Sequence, residues 1–309
     1  MLHAIELEFL MIFTQTGKLT DFFYVLGNRH FPTHLLLGDR PVLFEAGVSC
    51  LGSVYEKEIR KVLGKTEPEI LFLTHVHYDH CGTAGFLQQS FPGLKIAASQ
   101  RASEIVQRPN AIDSMHQLNR VTRHWVEAEA PGITEDIPFK PFNVDLILSD
   151  SDRIEIDKGL SVYIIETPGH TWDGLSYHIP EKKLLVAGEA AGCMSPAGVI
   201  YTEFLVDFEA YLHSIQRLAT LDVDILCQSH HQVITGSDAR TFFRRSIQAA
   251  KDYKRRVDEL LNEENGDQEK VAARIKAEEY DPQPGPKQPE QAYMINLAAR
   301  VKHLAGGKK

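Results

Sequence analysis

Positive charge is in short supply: the 309 residues hold 33 Lys and Arg against 42 Asp and Glu, a formal net charge of −9. Nucleic-acid binding draws most of its affinity from clustered cations, so this balance argues against a phosphate-tracking surface and makes nucleic acid an unexpected partner. Cysteine is scarce as well. Cys50, Cys81, Cys193 and Cys227 are widely spaced and form no CxxC pair, so neither a zinc knuckle nor a disulfide framework is indicated, and a reducing compartment fits best. No apolar run reaches the ~18 to 20 residues that span a bilayer. The partly apolar N-terminus is interrupted by Glu6 and Glu8 and shows neither a basic start nor a small-residue cleavage site. The expectation is a cytoplasmic protein with no membrane partner.

What is present is an ordinary globular mixture, 43% apolar and 24% charged, which excludes wholesale disorder and a fibrous architecture. From Ile5 to about Gly236 short apolar or β-branched runs alternate with polar, glycine-bearing breaks and occasional helical stretches, which reads as α/β layering. The runs at His34–Leu37, Pro41–Phe44, Glu69–Leu73, Lys95–Ala98, Leu160–Ile165, Lys183–Ala187 and Asp224–Cys227 are predicted strands. Val54–Leu63 and Ala210–Leu221 carry apolar residues at helical spacing. A third helical stretch, Ala111–Ala128 with Met115, Leu118, Val121 and Trp125, lies within an insertion near 108–133 and is a candidate cap over a pocket. After residue 236 the chain becomes charge-rich and loses strand signals. Residues 237–309 are therefore read as a helical appendage to a domain spanning 1–236. A proline-rich break, YDPQPGPKQP at 280–289, precedes a last helix whose stripe of Met294, Leu297, Val301 and Leu304 needs a surface to pack on.

The chemistry concentrates in THVHYDHCG, Thr74 to Gly82, directly after a predicted strand. A lone histidine is ordinarily a hydrogen-bonded core or surface residue, but three histidines and an aspartate within six residues are not accounted for that way. Residues two apart in an extended segment point the same way, so His75 and His77 can grip one cation while Asp79 and His80 face a second. Further candidates each lie just beyond a predicted strand end: His170 in ETPGHT, Glu189 in VAGE and His230 in QSHH. The expected grouping is His75, His77 and His170 on one metal, and Asp79, His80 and His230 on the other, with Glu189 between them. Mixed imidazole and carboxylate donors suit zinc or iron, with manganese also admissible. His231 has two readings, an exposed neighbour of His230 or a residue at the pocket mouth. Tyr78, Met115 and Trp125 read as packing residues.

HxHxDH followed by TPGHT, a later acid and a final histidine resembles the signature of the metallo-β-lactamase superfamily. The resemblance covers roughly residues 5–236 and implies a four-layer αββα sandwich with metals at one edge of two sheets, here with a C-terminal helical extension. A closer likeness, carried by THVHYDHCG, HQLNRV at 116–121 and DFEAYLHSIQRL at 207–218, is to the 2-aminobenzoylacetyl-CoA thioesterases of alkylquinolone biosynthesis. Two departures stand out. Glu189 replaces the usual bridging Asp, and Glu45-Ala46-Gly47 replaces an early DTG-like turn, where the resemblance implies that the acid orients a histidine ligand.

Two divalent metals bring four positive charges, and Asp79, Glu189 and a hydroxide return three, so the site is left positive and suited to a negatively charged transition state. Metal-held hydroxide at neutral pH is then the expected nucleophile, with Asp79 as the catalytic residue that orients it or carries its proton. The expected substrate is a small ester-like molecule, foremost an acyl thioester of CoA or glutathione, with lactone hydrolysis as the alternative. A diiron redox or oxygen-activating protein is the alternative of another class, since carboxylate-rich iron sites commonly use Glu. The sequence leaves oligomeric state open, a homodimer included.

Overall fold

A computed structural model describes residues 12–13, 15–195, 198–230, 233–283, 287 and 289–306. The first half runs β1 (Ile12–Phe13), β2 (Gly17–Lys18), β3 (Phe23–Asn28), β4 (Phe31–Leu36), β5 (Val42–Phe44), α1 (Gly52–Leu63), β6 (Ile70–Phe72), α2 (Tyr78–Cys81), α3 (Ala84–Ser90), β7 (Lys95–Ser99), α4 (Gln100–Ile105), α5 (Pro109–Glu129) and β8 (Leu146–Leu148). The second runs β9 (Arg153–Asp157), β10 (Leu160–Glu166), β11 (Leu175–Ile179), β12 (Leu184–Gly188), β13 (Cys193–Met194), β14 (Ile200–Tyr201), α6 (Phe208–Leu218), β15 (Ile225–Gln228), β16 (Val233–Thr235), α7 (Gly236–Glu263), α8 (Gln268–Glu279) and α9 (Glu290–Gly306). One seven-stranded sheet has the order β2-β3-β4-β5-β6-β7-β8 and the other β1-β16-β15-β12-β11-β10-β9.

Period-2 alternation explains why these sheets stack. In β6, Ile70 and Phe72 enter the core between the sheets, while Leu71 and Leu73 join the core beneath α1, α3 and α5. In β12, Leu184 and Val186 face the other sheet, and Leu185 and Ala187 face the C-terminal helices. Each central strand thus buries both faces, as strands flanked by layers on both sides must. The result is helices, sheet, sheet, helices: an α/β, four-layer αββα sandwich whose C-terminal helical part is α7–α9.

Local signals set the helix ends. Gly64, at φ +63°, closes α1 with its N–H on the Arg60 carbonyl, the left-handed stop that glycine takes without a Cβ penalty. Asp207 caps α6 by accepting from Ala210 N at 2.7 Å, and Ser99 caps α4 through Ala102 N. The seven predicted strands correspond to β4, β5, β6, β7, β10, β12 and β15, with ends shifted by up to three residues. β3, β9 and β11, five or six residues long, are not among the predicted strands, and neither are the two- and three-residue strands β1, β2, β8, β13, β14 and β16, which are too short to show a period.

The charge-rich region after residue 236 folds onto the second sheet. Phe242 of α7, Val257, Leu297 and Val301 are buried in one continuous core with Leu226 and Tyr211, so the stripe on α9 has its surface. No helix among the described residues is long and apolar enough to cross a membrane. Leu297, fully buried at 0% exposure, provides the test. Leu297→Ala is expected to lower the unfolding free energy by about 2–5 kcal/mol, read by denaturant titration, and a loss below about 0.5 kcal/mol would mean that α9 does not contribute to the core.

Candidate metal centre

Strand direction builds the site. β5, β6 and β7 are parallel, and β12 is parallel to β15, so their C-terminal ends lie along one edge of each sheet. Glu45 follows β5, the Thr74–His80 segment follows β6, Glu189 follows β12 and His230 lies two residues beyond β15. His170 follows β10, which runs in the same sense as β12 because two antiparallel pairings separate them. Bonds across the sandwich hold the edge together. Val76 N donates to Asp173 Oδ2 at 2.9 Å, Leu175 N to the Thr74 carbonyl at 2.7 Å, and the Tyr177 hydroxyl to the Leu73 carbonyl at 2.5 Å.

Two glycines allow this closeness. A Cβ on Gly169, at φ +128°, would lie 2.3 Å from the Tyr211 backbone, and one on Gly188, at φ +58°, would lie 2.8 Å from Thr74 Oγ1. Each immediately precedes a candidate ligand, so the turn that delivers His170 or Glu189 needs a residue without a side chain.

The structure brings the seven residues into two groups, His75, His77, His170 and Glu189 in one, and Asp79, His80 and His230 in the other. His77 Nδ1 lies 2.9 Å from His75 Nε2 and 3.2 Å from His170 Nε2. One proton can satisfy only one of these pairs, whereas a single cation can satisfy all three nitrogens. Glu189 spans the groups: Oε2 is 2.6 Å from His170 Nε2 and 3.4 Å from His75 Nε2, and Oε1 is 3.3 Å from His230 Nε2. His230 Nε2 is also 3.7 Å from Asp79 Oδ2. His80 Nε2 is buried with no hydrogen-bond partner, an orphan in a polar cluster that a cation would satisfy. The donor set fits borderline divalent metals.

Four of the five imidazoles are aimed by a contact on the far side. His80 Nδ1 pairs with Glu45 Oε2 at 2.8 Å, His170 Nδ1 donates to the Glu203 carbonyl at 2.5 Å, His230 Nδ1 donates to the His30 carbonyl at 2.6 Å, and His75 Nδ1 meets Thr74 Oγ1 at 3.1 Å. Such partners fix tautomer and ring plane. Asp173, Glu203 and His30 were not singled out in the sequence. Glu203 and His30 act through backbone carbonyls, which carry no residue signature, and the only trace of Asp173 is its place three residues after His170. Tyr78 packs against α5, its hydroxyl accepting from Thr122 Oγ1 at 3.2 Å. Met115 is buried, and Trp125 is half-buried, edge-on to His30 and Phe31. Phe31 is in turn edge-on to His230, so α5 borders the site. His231 lies outside the described residues.

Burial and the neighbouring imidazoles hold His75 well below its ordinary pKa, and burial takes His77 down to about 4. Burial also opposes charge on His170, His80 and His230, but carboxylates outweigh it. Glu189 raises His170, Glu45 and Asp79 raise His80, and Glu189 with Asp79 pushes His230 up to about 9. Burial favours neutral Glu189, yet His170 and His230 hold it ionised well below the usual range. Metal uptake must therefore expel protons from the three raised imidazoles, because a ligand nitrogen needs its lone pair. At pH 7, calorimetry in buffers of different ionisation enthalpy should read more than one proton released per chain. From about 6.5, the ordinary histidine value, up to about 9, affinity should rise as release falls, and zero release at pH 7 would contradict the assignment. Glu189→Ala should lose one metal equivalent and cut turnover by more than ~100-fold, because both groups lose a shared anion, with Glu189→Asp milder. Full metal content and full activity in the alanine variant would mean that Glu189 is no ligand.

The uncharacterized protein YobT of Bacillus subtilis is 30% identical over 203 residues, 61% of this chain and 77% of YobT. The hydroxyacylglutathione hydrolase GloC of Haemophilus influenzae is 26% identical over 165 residues, 53% of this chain and 68% of that protein. Among solved structures, the metallo-β-lactamase family protein TTHA1429 of Thermus thermophilus superposes with a TM-score of 0.60 at 18% identity, covering 96% of this chain and 92% of that one, a likeness of fold alone. Residues 32–230 match the metallo-β-lactamase superfamily, a span that takes in every candidate ligand, and the chain belongs to that superfamily.

Proposed function

We propose that the chain is a metal-dependent hydrolase of small acyl thioesters, such as an acyl-CoA or an acyl-glutathione. The observation that carries the reading is the Glu189 carboxylate placed between two histidine groups, 2.6 Å from His170 and 3.3 Å from His230, with Asp79 beside the second. The similarity to a hydroxyacylglutathione hydrolase and the sequence likeness to 2-aminobenzoylacetyl-CoA thioesterases both favour a thioester substrate. Divalent cations held by the two groups, zinc, iron or manganese, would lower the pKa of a water to near 7 and polarise the substrate carbonyl.

The chain's own residues supply the rest. Cys81 and Cys193 adjoin the ligands but are buried, and burial pushes both thiols well above their ordinary pKa, so neither is poised as a nucleophile. Water is then the attacking species, and Asp79, whose side chain is 17% exposed, orients it and takes its proton. Attack forms the new C–O bond, the C–S bond breaks, and the products are a carboxylic acid and a thiol. A thiol with a pKa of about 8.5 leaves readily as its anion, so Asp79 suffices for the proton traffic.

The test is a panel of acyl-CoA, acyl-glutathione and lactone substrates on metal-reconstituted protein. The best thioester should exceed every lactone by at least ~10-fold in kcat/KM, and Asp79→Asn should lower kcat by about 10²–10⁴-fold. A reversed preference would make the chain a lactonase. Oxygen uptake by an iron-loaded sample without thioester cleavage would replace hydrolysis with diiron redox chemistry.

A further inference from the structure

The inward stripe of α9 is Tyr293, Leu297, Arg300, Val301 and Leu304, and one member does not belong among apolar neighbours. Arg300 is only 3% exposed. Its guanidinium lies 4.6 Å from the Tyr253 ring centroid and 3.9 Å from Glu279, too far for a tight ion pair, and its Nε has no hydrogen-bond partner. Against the cost of burial, the Tyr253, Glu203 and Glu279 side chains favour its charge, but none forms a tight ion pair with it, and a buried charge placed this way is weak evidence for a role in stability alone. What Arg300 does make is one short bond: Nη1 donates to the Thr202 carbonyl at 2.8 Å.

That carbonyl belongs to the segment that aims a candidate ligand. The next residue, Glu203, presents the carbonyl that accepts from His170 Nδ1. Its own N–H donates to the Tyr211 hydroxyl at 3.2 Å. Leu205, Val206 and Asp207 converge their N–H groups on the Gly169 carbonyl, one residue before His170. A second grip from α9 lies at the far end, where Phe208 N donates to His303 Nε2 at 3.0 Å. The 202–208 segment is therefore held by α9 on one side and holds the His170 turn on the other.

We propose that Arg300 is a positioning residue for the metal centre. By pinning the Thr202 carbonyl it fixes the adjoining Glu203 carbonyl, which keeps the proton on His170 Nδ1 and leaves Nε2 aimed at His77 and Glu189. The C-terminal helix is thereby part of the metal site, although it supplies no ligand. This rests on the reading of His170 as a ligand and is independent of the substrate.

The test compares Arg300→Met, which keeps a long side chain and removes the donor, with Leu297→Ala, which loosens α9 without touching Thr202. Stepwise Zn²⁺ titration of the chelator-stripped full chain should show one of two metal equivalents weakened ~10–100-fold in Arg300→Met, the range expected for loss of a ligand's supporting contact. The other equivalent should stay within about twofold. Arg300→Lys should recover part of the loss, and it carries the comparison if the methionine variant does not fold. Leu297→Ala should lower the thermal midpoint yet leave both affinities within about twofold. In the metal-free protein, ¹⁵N-histidine NMR should show a slowly exchanging Nδ1–H, assigned by its absence in His170→Gln, that is lost in Arg300→Met and kept in Leu297→Ala. Unchanged affinities and an unchanged Nδ1–H in Arg300→Met would overturn the proposal, as would equal losses in Leu297→Ala, which would make Arg300 only a packing element of α9. A wild-type chain that binds no zinc would remove the metal reading itself, and the Nδ1–H comparison alone would then decide the tether.

Discussion

Glu189 is a buried carboxylate made tolerable by the imidazoles around it. Removing such an anion from water costs several kcal/mol, and His170 at 2.6 Å, His230 at 3.3 Å and His75 at 3.4 Å offset that cost by charge and hydrogen bonding. The histidines depend on the acid in turn, since five rings this close would otherwise repel when protonated or leave nitrogens unpaired. Neither half is stable alone, so the edge of the sandwich holds a mutually dependent cluster that divalent cations can enter by displacing protons.

The fold meets this demand by delivering side chains from strand ends that all face one way. Turns after parallel strands project from a single edge, and the bond from Val76 N to Asp173 ties the two sheets together where the candidate ligands meet. Glycines at 169 and 188 let the delivering turns approach Tyr211 and Thr74 more closely than any Cβ permits. Behind the ligands sits a ring of supporting acceptors, the Glu45 carboxylate and the Glu203 and His30 carbonyls, each on the nitrogen facing away from the centre. α5 borders the cluster through Trp125 and Phe31, and the 202–208 segment, bonded to α9, supports His170. The helices after residue 236 complete the core behind the second sheet.

Much of this was legible before any coordinates. Seven strands announced themselves through apolar runs of four to six residues, two C-terminal helices through charge-rich, strand-free composition, and the last through its apolar stripe. The dense HxHxDH segment and the acid or histidine beyond each later strand named the candidate ligands by residue type. The very short strands at the sheet margins were hidden because two or three residues cannot display a period. Trp125 reads from sequence as a packing residue, and nothing local indicated that it borders the metal edge through Phe31.

The sequence by itself determined residue chemistry and local periodicity: which side chains can bind a metal, where strands and helices run, and that alternation makes the central strands two-faced. Only the tertiary structure decided which distant groups meet. His80 and His230 lie with ring centroids 5.2 Å apart because strand direction and register align turns separated by nearly half the chain. The Glu203 and His30 carbonyls aim histidines because the backbone happens to turn there, and every residue has the same carbonyl. Arg300 carries no sequence signal that sets it apart on the last, amphipathic helix. Packing alone turns it inward to the Thr202 carbonyl, because the contact depends on how α9 is rotated against the 202–208 segment, and local spacing does not encode that rotation.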